Sequence, residues 1–422
     1  MNSPIAITGM GIVSPLGVGV TPVWERLLAG QSGIRLIDRF DTEQEPVKIA
    51  GLVPSIEADP AAGFDIDRVV EPKERKKLDL FTVYALAAAQ QALAQADWFP
   101  DTDSDQQATA TVIATGIGGF STITAAQKTL ETRGYKRISP FTAPAFLANM
   151  AAGNLSIKYG FKGPQGCPVT ACAAGLQAIG DGMRMIRSGE ADVALVGGTE
   201  ACVEPLSLAS FNALKALSLE SDNPAAASRP FDRDRNGFVM AEGAGLMVIE
   251  SLEHARRRGA RPLALLSGYG TSADAYHITS GREDGAGSAA AVRRAMKMAG
   301  LNPGDISYIN AHATSTPVGD AAEVAALRSV FGDTLPGIPI SSTKSATGHL
   351  LGAAGGVGAI FTAMAVINNM LPPTINMQQA DEAMRDLDFV PNNRREQNVS
   401  HALCNGFGFG GVNASLVIST VG

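Results

Sequence analysis

One cysteine stands in a setting that could do chemistry. Cys172 lies in the run Thr170-Ala171-Cys172-Ala173-Ala174-Gly175, between a Pro-Gly segment over 163–166 and a helical pattern over 173–187. A cysteine at a helix N-terminus faces unpaired N–H groups and the positive end of the helix dipole, and both favour the nucleophilic thiolate. Its small neighbours leave room for an acyl chain to approach. A free cysteine is more often a small buried hydrophobe, and that reading stands for Cys167 and Cys202, which lack such surroundings.

Two of the five histidines fall in Gly/Ser/Thr-rich settings. His312 ends the apolar run Tyr308-Ile309-Asn310-Ala311 and precedes Ala313-Thr314-Ser315-Thr316, so it would project from a sheet edge into a cleft. Taken alone it reads equally well as a core histidine satisfied by hydrogen bonds. His349 closes Ser341-Ser342-Thr343-Lys344-Ser345-Ala346-Thr347-Gly348. Lys344 there leads into an uncharged helix, and a buried ammonium needs a partner. The two histidines lack a third ligand at a metal-binding spacing, so no metal is expected. Later, Gly406, Gly408 and Gly411 satisfy the G-x-G-x-x-G pattern. They lack the helix, second strand and acidic residue that dinucleotide binding requires. A glycine-rich turn can instead aim backbone N–H groups at an oxyanion.

The elements that must hold these residues are legible as alternating patterns. Nearly continuous apolar runs at 4–10, 109–116, 192–198, 245–250, 262–267, 307–313, 401–404 and 414–419 suit strands buried on both faces. Helical spacing occupies 80–96, 173–187, 285–300 and 320–331. The alternation predicts an α/β fold with covered sheets. A boundary is expected within 252–262, and its basic triplet Arg256–Arg258 reads as a solvated helix end. Residues 350–367 are apolar enough to be scored as a membrane span, but their glycines and alanines favour a buried, closely packed helix.

Composition narrows the function classes. There are 34 Lys+Arg against 41 Asp+Glu, a net charge of −7, which argues against nucleic-acid binding. Four cysteines in 422 residues, none in a Cys-x-x-Cys pair, exclude a disulfide scaffold and a zinc ribbon. No signal-peptide pattern precedes residue 30. A cytoplasmic protein without a membrane anchor or cofactor is expected.

Cys172, His312, Lys344, His349 and the Gly406–Gly411 turn form one ordered set. With Thr8-Gly9-Met10-Gly11 and Ser228-Arg229-Pro230-Phe231-Asp232, the set resembles the β-ketoacyl-acyl carrier protein synthases over nearly the whole chain, particularly the type II elongating enzymes. The resemblance implies a thiolase-like fold: two similar halves, residues 1–258 and 259–422, in a five-layer αβαβα core, working as a homodimer. It implies that Cys172 carries the acyl group as a thioester and that His312 and His349 hold the malonyl thioester. Lys344 and Glu323 match a pair that organises the site. The backbone N–H groups of Cys172 and Phe409 match an oxyanion hole, with the Phe409 ring as a gate. Ile117 and Phe211 match acyl-pocket positions, where bulk would limit chain length.

The implied partner is acyl carrier protein, which is acidic. Lys73, Arg75, Lys76 and Lys77 are the candidate docking patch, with Arg133, Lys136 and Arg137 as additions. Three alternatives share features with this set. A thiolase would share Cys172, Gly348-His349 and a second cysteine like Cys404, but has Asn where His312 stands. A non-catalytic partner subunit would lack the nucleophile. A ketosynthase of a type II polyketide pathway shares every motif and stays open.

Overall fold

The computed structural model describes residues 4–422. The apolar runs form strands in two matching series. The first comprises β1 (Ile5–Ser14), β2 (Thr109–Ala114), β3 (Gln165–Gly166), β4 (Val193–Glu200) and β5 (Gly243–Ser251). The second comprises β6 (Ala264–Ala273), β7 (Tyr308–Asn310), β8 (Ile340–Ser341), β9 (His401–Gly408) and β10 (Val412–Ser419). The strand order is β3-β2-β4-β5-β1-β6-β10-β9-β7-β8.

The order is symmetric about its middle. Outward from β1, the pairings with β5 and β4 are antiparallel, and those reaching β2 and β3 are parallel. Outward from β6, the pairings through β10 and β9 are antiparallel and those reaching β7 and β8 parallel. The seam between the series is short: Ile5, Ala6 and Ile7 pair with Leu266, Leu265 and Ala264.

Five helices complete the layers. α1 (Leu80–Ala96), N-capped by the Asp79 side chain, packs on β1, β5 and β4. α2 (Ala174–Ser188) and α5 (Ala354–Asn368) pack on each other and contact strands of both series. α3 (Ala286–Ala299) covers β6 and β10, with α4 (Pro317–Phe331) beside it. The result is the αβαβα stack that the resemblance implied, with α2 and α5 as its middle layer.

That middle layer depends on glycine at its contact. A Cβ on Gly355 would lie 2.3 Å from the backbone nitrogen of Leu176, and one on Gly175 would lie 2.7 Å from that of Gly356. Both helices are also entered the same way. A 3₁₀ turn, Ala171–Ala173 or Leu351–Ala353, precedes each helix, and each turn opens on a left-handed residue, Ala171 (φ 48) or Leu351 (φ 46). A side chain in this region costs on the order of 1–3 kcal/mol, which the surrounding packing must hold.

Helices α1 to α4 match the expected spans within a few residues. The segment Leu351–Asn368, with mean hydropathy 1.6, is long and apolar enough to cross a membrane, but 78% of it is buried inside the fold. The basic triplet corrects the sequence reading at Arg258. Its guanidinium bonds Glu250 at 2.6 and 2.9 Å and lies 5.2 Å over the Trp98 ring. Burial pushes the Glu250 carboxyl up, but donors on Arg258, His254 and Thr8 prevail and hold it at about 2. The exposed helix Phe120–Arg133 had no sequence signal, because it buries no residue and carries no apolar stripe.

Candidate active site

The matching turns bring the candidate residues to one cavity of about 570 Å³, lined by Ile117, Cys172, Phe211, His312, His349 and Phe409 among others. Each is delivered by the end of an element. Cys172 sits in the turn that starts α2. His312 follows β7, His349 precedes the turn into α5, and Phe409 follows β9. Glu323, on α4, also lines the cavity, whereas Lys344 is buried behind it.

The candidate groups are within contact. His349 Nε2 is 2.9 Å from Cys172 Sγ. The two imidazole rings lie 5.5 Å apart and nearly perpendicular, at 84°. The backbone N–H groups of Phe409 and Cys172 both face the Cys172 sulfur. His349 Nδ1 is buried without a hydrogen-bond partner. A buried unpaired donor costs more than an unpaired lone pair, so the Nε2–H tautomer is favoured and aims its proton at the reacting centre.

Electrostatics corrects one expectation. Cys172 does occupy the helix-entry position, but burial outweighs that placement and pushes its thiol up to about 12. Lys344 and the two N–H groups act in the opposite direction without overcoming it. At neutral pH Cys172 therefore rests as the thiol. Burial, reinforced by Lys344, holds both His312 and His349 well below the ordinary histidine range, so both are neutral donors.

Glu323 and Lys344 make different contacts around this site. Glu323 accepts the backbone N–H of His312 at 2.9 Å and of Ala313 at 2.7 Å, and the Asn405 amide at 3.0 Å. It thereby fixes the segment that presents His312. Lys344 Nζ donates to the Ala311 carbonyl at 3.4 Å. Burial lowers its pKa, while the nearby charge of Glu323 acts to raise it.

Ile117 and Phe211 stand together with Cys172 at the edge of a small apolar cluster. Phe211 lies 6.3 Å from the Phe409 ring and 5.7 Å from Phe238, which in turn lies 5.3 Å from His349. This aromatic row makes one wall of the cavity. Ile117→Phe adds a ring to that space. It is expected to lower kcat/KM for long acyl donors at least ~10-fold and change short donors less than about twofold, measured over graded chain lengths.

The basic patch is weaker than its sequence suggests. Lys73 pairs with Glu71 at 2.8 Å, Lys77 with Glu74 at 2.8 Å, and Arg75 with Asp67. Lys76 is exposed, as are Arg133, Lys136 and Arg137. Cys404 is buried and does not line the cavity, so no second thiol joins Cys172 there.

Three residues that bear on the site were not singled out by sequence. Glu200 ends the buried strand β4, Asp320 accepts the Thr314 N–H at 3.0 Å, and Asn405 braces Glu323. The available signal was an acid closing an otherwise apolar strand in Gly197-Gly198-Thr199-Glu200.

Known proteins share this arrangement. Residues 2–255 match the family described as "Beta-ketoacyl synthase, N-terminal domain", and residues 263–378 match its C-terminal domain. The chain is 49% identical over 415 residues, 98% of each protein, to "3-oxoacyl-[acyl-carrier-protein] synthase 2" of Rhizobium meliloti (strain 1021). It is 45% identical, again over 98% of each, to the protein of that name in Vibrio cholerae serotype O1. Among solved structures, a β-ketoacyl synthase from Burkholderia phymatum STM815 superposes with a TM-score of 0.91 at 31% identity, covering all of both chains. A type II polyketide ketosynthase, in complex with its acyl-carrier protein and bound to a hexaketide, superposes with a TM-score of 0.88 at 33% identity, also over all of both chains. Motifs, layers and relatives converge: the chain belongs to the beta-ketoacyl synthase family.

Proposed function

We propose that the protein is a 3-oxoacyl-[acyl-carrier-protein] synthase that condenses malonyl-carrier thioesters with an acyl group held on Cys172. The observation that carries this reading is the contact of His349 Nε2 with Cys172 Sγ at 2.9 Å in a cavity shared with neutral His312.

In the first half-reaction the Cys172 sulfur attacks the acyl thioester carbonyl. The carrier thiol leaves, and the proton lost by Cys172 ends on it. In the second, the bond between the malonyl α-carbon and its carboxylate breaks. Carbon dioxide departs, and the electron pair moves into an enolate whose oxygen accepts the N–H groups of His312 and His349. Fixed donors aimed at developing charge in a water-poor site lower this barrier most. The α-carbon then attacks the Cys172 thioester, whose oxyanion faces the N–H groups of Cys172 and Phe409. Collapse releases the 3-oxoacyl thioester and a Cys172 thiolate, which takes a proton from solvent.

Fatty-acid elongation is favoured over a polyketide pathway by likeness. Curated relatives named 3-oxoacyl-[acyl-carrier-protein] synthase 2 are 44–49% identical, against 33% for the type II polyketide ketosynthase structure. The chain divides into halves at 258/259, a reading supported by the mirrored strand series. Exposed apolar side chains at Leu130, Tyr135, Phe141 and Leu147 support a homodimer. The carrier docks on cations free of local partners. The Lys136→Glu/Arg137→Glu double variant is expected to raise KM for carrier-bound substrate about tenfold with kcat within twofold, and Lys73→Glu to change KM less.

Mass spectrometry after incubation with an acyl donor tests the whole reading. An acyl adduct on Cys172, discharged as a 3-oxo product by malonyl carrier protein, is expected. An unmodified Cys172 would overturn it.

A further inference from the structure

Glu200 closes β4 with its side chain wholly buried, and none of the steps above uses it. Its Oε2 accepts the N–H of Gly116 at 2.7 Å and of Gly352 at 3.1 Å. Oε1 accepts the Thr115 hydroxyl at 2.9 Å, and the Ile117 N–H also faces the carboxylate. These donors come from two separate segments. One is the loop 115–118, which carries Ile117 on the acyl-pocket wall. The other is the turn after His349, which carries the left-handed Leu351. The segments almost touch beneath the carboxylate: a Cβ on Gly352 would lie 2.1 Å from the Gly116 nitrogen and 2.8 Å from Glu200 Oε2. Gly116, Ile117 and Leu351 line the cavity, whereas Glu200 does not.

The charge of this group reaches the nucleophile. Every hydrogen-bond partner named for Glu200 is a backbone N–H or a hydroxyl. The titratable groups that feel it are three thiols: Cys172 before α2, Cys167 next after β3, and Cys202 beyond β4. Glu242 and Glu204 also bear on Cys202, and Lys344 acts on Cys172 with the opposite sign. Burial lifts the Glu200 carboxyl to about 7, against the pull of its donors, so it changes charge across neutral pH.

We propose that Glu200 is a positioning residue: its buried carboxylate ties the Ile117 loop to the His349 turn, and the charge it carries there bears on Cys172. The role in acyl selection rests on the condensing reading above; the effect on the thiol does not.

Two variants separate tie from charge. Glu200→Gln keeps an acceptor for the Gly116 and Gly352 N–H groups and a donor for the Thr115 hydroxyl, but removes the charge. Alkylation of Cys172 by iodoacetamide, read as mass of the Cys172 peptide, is expected to run at least ~3-fold faster than wild type at pH 8. At pH 5.5, where wild-type Glu200 is protonated, the two rates are expected to agree. Glu200→Ala removes the tie as well. It is expected to flatten the preference among acyl lengths at least ~5-fold relative to Glu200→Gln, with the smaller change in KM for malonyl substrate. Superimposed alkylation profiles for wild type and Glu200→Gln from pH 5.5 to 8 would overturn the proposal. So would an unchanged length preference in folded Glu200→Ala. The alkylation readout needs no turnover, so a wild type that fails to condense would refute the condensing reading alone.

Discussion

In a His349→Ala variant, malonyl decarboxylation is expected to fall about 10²–10³-fold while acylation of Cys172 falls less than about tenfold. The first figure is the cost of removing one preorganised donor from a charge that develops in the transition state. Neutral imidazoles matter here. Burial keeps His349 uncharged, so its loss removes an N–H dipole and not a positive charge. In the proposed mechanism acylation places its oxyanion on the backbone N–H groups that face the sulfur, which the variant retains. The two steps are separated by carbon dioxide release from malonyl carrier protein and by adduct mass with an acyl donor alone. Equal losses in both would sink the division of roles between the imidazoles and the Phe409 turn.

Gly355→Val is expected to prevent folding at 37 °C. Its Cβ would fall 2.3 Å from the Leu176 nitrogen, where the neighbour is backbone of a buried helix and has no way to yield. Separating α2 from α5 by even an ångström would open the middle layer and draw Cys172 away from His349. Such overpacking costs several kcal/mol, about 4 or more at a site where backbone must move. Gly337→Val is the matched control, because nothing lies within 4 Å of a Cβ there. Soluble yield and thermal melting compare the two. A Gly355→Val protein that melts within about 3 °C of wild type would contradict the packing argument.

The sequence carried eight of the ten strands and all five helices because their apolar patterns are periodic or continuous, and buried elements must be; the two-residue strands at 165–166 and 340–341 are too short to show one. Cys172, His312 and His349, which share one cavity, stood out by the glycine and small residues around them, whereas Phe409 entered through the family resemblance. What it could not carry was anything set by distance across the fold. The Cys172 thiol was expected low from its helix position, but the burial that raises it comes from residues far along the chain. Lys73, Arg75 and Lys77 read as a positive patch; their partners Glu71, Glu74 and Asp67 are near in sequence, so there it was the pairing, and not distance, that the run did not mark. Arg258 looked like a solvated terminus because Glu250, its buried partner, lies on a strand that the pattern of charges did not mark. Glu200 was silent for the same reason: its donors, at Gly116 and Gly352, are each far from it in sequence.

The catalytic contact joins residues 177 positions apart, one on each side of the seam. During synthesis at roughly 5–20 residues per second, Cys172 is therefore added about 9–35 s before His349. Through that interval the thiol has neither the imidazoles nor the Phe409 turn, so nothing beside it can bind a carrier thioester. The order of the sequence thus places the two sides of the cavity in different halves, and a chain that ends before residue 349 holds Cys172 without its imidazole neighbour.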